Sequence, residues 1–142
     1  MTDPQLTRQI IGTAITVHRE LGPGLLEAVY EECPCHELAL AGLAFERQKP
    51  IPVIYGGTKL DCGYRADIVV LGRVIVEIKA ISAVAPVHDI VMLTYLRLSG
   101  CHISLLINFH SAILKDGIHR YVWNYHPVEE ETERRGAEVA EK

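Results

Sequence analysis

The chain contains no apolar run approaching the ~20 residues that a membrane helix needs. Its start, Met1-Thr2-Asp3-Pro4, is not basic and leads into no apolar stretch of the kind that marks a secretory signal. The expectation is a cytoplasmic protein with no membrane partner. Positive charge is not in excess either: the formal net charge is −4. Of 18 acids and 14 bases, residues 128–142 hold six and three, which leaves 12 and 11, a net of −1, in the body. No strong electrostatic footprint of a polyanion binder is present, although a local basic groove can coexist with a neutral total. No internal repeat or low-complexity segment stands out.

Cysteine is also sparse. Cys33, Cys35, Cys62 and Cys101 lie in a chain without an export signal, so reduced thiols are expected. Cys33-Pro34-Cys35-His36 invites a metal reading, but neither Cys62 nor Cys101 supplies the second close pair that structural zinc sites use. Small buried thiols are the expectation, and a redox or zinc protein built on Cys33 and Cys35 is the reading set against it.

What the chain does have is the composition of an ordinary globular domain, 142 residues with 49% hydrophobic and 23% charged. One domain over residues 1–127 is expected, followed by a charged, flexible tail at 128–142. Leu6, Ile10, Ile11, Ala14, Ile15 and Val17 recur at helical spacing and predict a helix from about Gln5 to Leu21. After Gly22-Pro23-Gly24 a second helix runs from about Leu25 to Ala41, with Pro34 expected to kink it. Phe45 to Tyr55, interrupted by Pro50 and Pro52, reads as an edge or bulged strand ahead of a Gly56-Gly57 turn. Tyr64–Leu71 and Val74–Lys79 read as strands about a tight turn at Gly72-Arg73. Pro86 to Ser99 reads as a helix ended by Gly100, Ile103 to Phe109 as a strand covered on both faces, and Arg120 to Tyr125 as a last short strand. The order α-α-β-β-β-α-β-β implies an α/β fold, a mixed sheet flanked by helices.

The chemistry concentrates in the two central strands. Both are almost wholly apolar, yet one carries Asp67 and the other Glu77 and Lys79. Such residues are rarely buried unless paired. Glu77 and Lys79, two apart on one strand, point to one face. The ten-residue gap from Asp67 to Glu77 spans two short antiparallel strands and a turn, which lets the acids lie side by side. Close carboxylates repel unless a cation sits between them, and hard oxygen ligands suit Mg²⁺ or Mn²⁺. A lysine beside such an ion can orient or deprotonate a water and stabilise charge on a phosphate. The set is the equipment for phosphodiester hydrolysis; the bland alternative is a structural ion pair at the sheet edge.

Gly24-Leu25-Leu26-Glu27-Ala28-Val29-Tyr30 resembles the signature of the GxxExxY proteins, a family placed in the PD-(D/E)xK nuclease superfamily. The resemblance covers about residues 6–125 and includes Ile15 through Gly24, Glu46-Arg47-Gln48 and Pro86-Val87-His88. It implies a PD-(D/E)xK nuclease-like fold, with Asp67, Glu77 and Lys79 as catalytic positions and Glu27 as a helix-borne acid completing a metal site with Asp67 and Glu77. The implied cofactor is Mg²⁺ or Mn²⁺ and the implied partner nucleic acid, DNA first. Superfamily analogy makes a homodimer a candidate oligomeric state.

In one respect the chain departs from this pattern. Where the family carries glutamine, four residues before the tyrosine matched by Tyr95, this sequence has Val91. The rival to a nuclease is therefore a non-enzymatic relative, a nucleic-acid or protein-binding module. His18 and His88 read as helix-surface or capping residues, Tyr30 and Tyr95 as core aromatics with tethered hydroxyls, and Arg65, Arg73 and Arg97 as solvated surface charge.

Overall fold

The computed structural model describes residues 1–124. The expected tail at 128–142, the last residues of the expected domain and the end of the last expected strand lie outside the described residues. Helix α1 (Asp3–Leu21) begins under a capping box in which Thr2 and Gln5 satisfy each other's backbone amides, and its Leu6, Ile10, Ala14 and Val17 are buried. Helix α2 (Glu27–Leu40) follows and is continuous through Pro34. The proline can give no amide to the turn before it, but its ring is buried on the same face as Tyr30 and Leu38. Helix α3 (Pro86–Ser99) ends at Gly100 in the left-handed conformation, as a C-terminal glycine favours.

Strands β1 (Phe45–Pro50), β4 (Arg65–Val70), β5 (Val74–Lys79), β6 (Ile103–Asn108) and β7 (Ile118–Val122) form one mixed sheet in the order β1-β4-β5-β6-β7. All neighbours are antiparallel except β5 and β6, which run parallel because α3 carries the chain across between them. Strands β2 (Val53–Tyr55) and β3 (Thr58–Leu60) make a separate small hairpin about the Gly56-Gly57 turn. The helices and the main sheet follow the expected order, and this hairpin and a 3₁₀ turn at Leu114–Gly117 are additions to it. Helices α1 and α2 cover one sheet face over Ile68, Val76, Ile78, Leu105 and Ile107. Helix α3 covers the other over Val69, Ile75 and Leu106. The largely apolar β6, with only Ser104 and Asn108 polar, is buried at every position, as a strand between two helical layers must be.

Candidate active site

The alternation that packs Val76 and Ile78 toward α1 and α2 sends Ile75 toward α3, so Glu77 and Lys79, further along β5, share the face of Ile75. The β4–β5 pairing includes Ile68↔Val76, Val69↔Ile75 and Val70↔Val74, and stops there. One step further, where the ladder has ended, Asp67 stands opposite Glu77. The amides freed at this point take carboxylates as acceptors. Asp67 N–H donates to Glu77 Oε1 at 3.3 Å, and Ile78 N–H donates to Asp67 Oδ2 at 2.8 Å. Each acid thereby satisfies the other strand's backbone, and leaving such a buried amide unpaired would cost ~1–3 kcal/mol.

These hydrogen bonds do not cancel the cost of burying charge. Glu77 is only 7% exposed. Burial, and after it the negative charge of Asp67, push its carboxyl up to about 8, against the opposing pull of the Asp67 amide and of Lys79. Asp67 is also raised, chiefly by burial, with the Ile78 amide and Gln48 holding it down and Glu31 and Glu27 adding repulsion. The pair is short of positive charge. Lys79 is half-buried and makes no ion pair within 4.0 Å among the described residues.

Glu27 is held differently. It is the first residue of α2, where the helix dipole favours an acid. The approach to it bends through Gly24 at φ 104°, a backbone region that side chains disfavour. One turn into the helix, the Tyr30 hydroxyl donates to the Gly22 carbonyl at 2.5 Å and accepts from the Leu25 amide at 3.1 Å. Its ring stacks on Phe109 at 4.7 Å. The spacing of Gly24, Glu27 and Tyr30 is thus a device that pins the loop from inside the core and presents the acid at the helix start. The Glu27 carboxylate is exposed, and its charge reaches both Asp67 and Glu77. Among the described residues no group of three or more His, Cys, Asp or Glu side chains stands close enough to hold an ion. The structure joins Asp67 to Glu77 directly and leaves Glu27 at electrostatic range.

Three further residues belong to the site. Gln48 on β1 bridges Glu31 of α2 to Asp67, its Nε2 lying 3.2 Å from both Glu31 oxygens and 3.1 Å from Asp67 Oδ1. Asn108, 4% exposed and paired with Lys79 in the β5–β6 register, ties down the chain leaving β5. Its amide donates to the Ile81 carbonyl at 2.9 Å, and its Oδ1 accepts from the Ile81 amide at 3.1 Å. Glu46-Arg47-Gln48 stood out in the sequence without a role, whereas nothing local pointed to Glu31 or Asn108.

Tyr95 of α3 is buried on the acid side, its hydroxyl raised by burial and by the charges of Glu77 and Asp67. Val91, one turn earlier, packs half-buried against the same cluster. His88 is a cap: its Nδ1 accepts from the Ala85 amide at 2.8 Å. His18 meets the Ser111 carbonyl at 2.9 Å. The three arginines have internal partners, Arg65 with Asp61, Arg73 with Asp3, and Arg97 over the Trp123 ring. Cys33 and Cys35, two apart on a helix, point to different sides. Cys35 is buried, and burial pushes its thiol up to about 11, the opposite of a reactive thiolate.

The fold is a nuclease-like mixed α/β sheet, in which two adjacent strands set a half-buried aspartate opposite a buried glutamate, with a lysine two residues on. The chain belongs to the PD-(D/E)XK nuclease superfamily, which it matches over residues 4–121. Nucleases of this superfamily are generally dependent on a divalent metal and act on nucleic acid. No curated protein and no solved structure matches the chain. Among the described residues no helix is long and apolar enough to cross a membrane.

Proposed function

We propose that this protein is a Mg²⁺- or Mn²⁺-dependent nuclease acting on DNA, with Glu27, Asp67 and Glu77 holding the ion and Lys79 assisting the attacking water. The observation that carries the reading is the Asp67–Glu77 pair, a half-buried and a buried acid each accepting a backbone amide of the neighbouring strand and under-supplied with positive charge. The donor set fits a hard divalent cation, since every ligand atom is a carboxylate oxygen and no sulfur takes part. Glu27, exposed at the start of α2, is free to change rotamer toward the pair. When bound, the ion would supply charge stabilisation to the scissile phosphate and lower the pKa of a water. Lys79 would orient that water and offset the charge that grows on the phosphate as the new P–O bond forms and the bond to the leaving oxygen breaks. Burial of Glu77 and of the surrounding strand residues limits bulk water at the pair, where such charges act most strongly.

Val91 supports a second reading, a weakly active or inactive relative that binds nucleic acid or protein. An apolar side chain, packed against the α3 cluster, stands where the resemblance implies a glutamine. The test is cleavage of single- and double-stranded DNA and RNA with Mg²⁺ or Mn²⁺, with Glu77→Ala as control. Metal-dependent cleavage abolished by Glu77→Ala supports the nuclease. Binding of nucleic acid with no cleavage of any substrate favours the binding module.

A further inference from the structure

We infer that Gln48 is a positioning residue of the carboxylate site, fixing the Asp67 side chain through a relay that begins at Arg47 and passes through Glu31. The inference rests on the reading of Asp67 as a metal ligand and adds to it the groups that aim that ligand.

The relay can be followed atom by atom. Arg47 Nη1 donates to Glu32 Oε1 and Oε2 at 2.8 and 2.9 Å. Its Nε and Nη2 donate to Glu31 Oε2 at 3.2 and 3.1 Å. The Glu31 side chain, 12% exposed, then receives the Gln48 amide at 3.2 Å on each oxygen. From the same nitrogen Gln48 donates to Asp67 Oδ1 at 3.1 Å, while Asp67 Oδ2 is held by Ile78 N–H at 2.8 Å. Both oxygens of Asp67 are therefore oriented, and each keeps a second lone pair for a ligand.

The backbone argues in the same direction. β1 pairs with β4 through Arg47↔Ile68 and Lys49↔Ala66, which places Gln48 opposite Asp67. At Gln48 the backbone turns left-handed, φ 51°, inside an otherwise extended strand. A long side chain seldom adopts this conformation, and such strain persists where the surroundings fix it, often at functional sites. Here the departure from strand geometry lets one amide reach α2 and β4 together. A neutral amide also suits the task, because it orients an acid without supplying the full positive charge that an ion would bring.

Glycine accepts the left-handed backbone freely, so Gln48→Gly removes the side chain and relieves the strain together. The expected result is a melting temperature held or raised in metal-free protein, with Mn²⁺ affinity by calorimetry weakened ~10–100-fold, the loss typical when a group orienting a metal ligand is removed. Glu31→Leu should weaken Mn²⁺ binding in the same direction. A merely structural Gln48 would leave Mn²⁺ affinity unchanged, and that result overturns the inference. Tighter Mn²⁺ binding in Gln48→Gly also overturns it, by making the amide a competitor of the ion. The relay has its own readout without metal: the Gln48 side-chain amide resonances should shift in both Asp67→Asn and Glu31→Leu, and resonances indifferent to both refute it. Wild-type Mn²⁺ binding that survives Asp67→Asn instead refutes the metal reading, while the amide resonances still decide the relay.

Discussion

Replacing Glu77 by glutamine should stabilise the metal-free protein, and increasingly so as pH rises from about 5 to 8. The buried Glu77 carboxyl is pushed up from the ordinary 4.5 to about 8, first by burial and then by Asp67. A raised acid keeps its proton in the folded state and loses it in the unfolded state across that window. Stability is thus full below the unfolded value and falls as pH climbs toward the folded one. At ~1.4 kcal/mol per pH unit, the loss by pH 7 is about 3 kcal/mol, an upper estimate because Asp67 shares the titration. Glutamine keeps an oxygen to accept the Asp67 amide and removes the charge, so it escapes the loss. Urea denaturation of both proteins in chelator at pH 5, 7 and 8.5 measures this directly. The expected outcome is near-equal stability at pH 5 and a gap of roughly 2–4 kcal/mol at pH 8.5. Parallel pH profiles for the two proteins would show that Glu77 is not held in an unfavourable charge state, and the reasoning would fail.

Asp67→Asn should likewise raise the melting temperature without metal, since Asp67 is raised by burial and faces further acids. The parent should gain thermal stability from Mg²⁺ by mass action and the variant should lose most of that gain, whereas an equal Mg²⁺ response would place the ions elsewhere. Tyr30→Phe leaves the ring on Phe109 but strips the Gly22 carbonyl and Leu25 amide of their partner, and should cost about 1–3 kcal/mol in urea denaturation. An unchanged midpoint would mean that the hydroxyl does not pin the loop before Glu27. Val91→Gln should raise single-turnover cleavage of a labelled duplex with little change in metal affinity, because a ~1 Å error in placing a reacting group can cost ~10²-fold. Val91 packs against the α3 cluster, so rates are compared at equal folded fraction, and a rate unimproved by glutamine would show that its absence is harmless.

Much of this was legible in the chain itself. Ile103–Phe109 read as a strand covered on both faces, and all seven residues are buried. Gly100 marked a helix end, and Asp67, Glu77 and Lys79 declared themselves by being charged within apolar strands. What was not legible depended on contacts distant in sequence or on elements without an apolar pattern. Strand β3 is three residues long and exposed throughout, so no alternation announced it. The turn expected at Gly72-Arg73 has its left-handed residues at Leu71 and Gly72, one position earlier. Pro34 was expected inside the second helix, and it lies there with its ring buried beside Tyr30 and Leu38. The relay from Arg47 to Asp67 was invisible because it joins β1, α2 and β4, and because a left-handed glutamine inside a strand follows no local rule.

The central claim, an ion held by the strand acids, is tested most directly by anomalous diffraction from crystals soaked in Mn²⁺. The account predicts an anomalous peak bounded by the carboxylates of Asp67, Glu77 and Glu27, absent from crystals of Asp67→Asn. A peak that persists in Asp67→Asn, or Mn²⁺ found only away from Asp67 and Glu77, would contradict it.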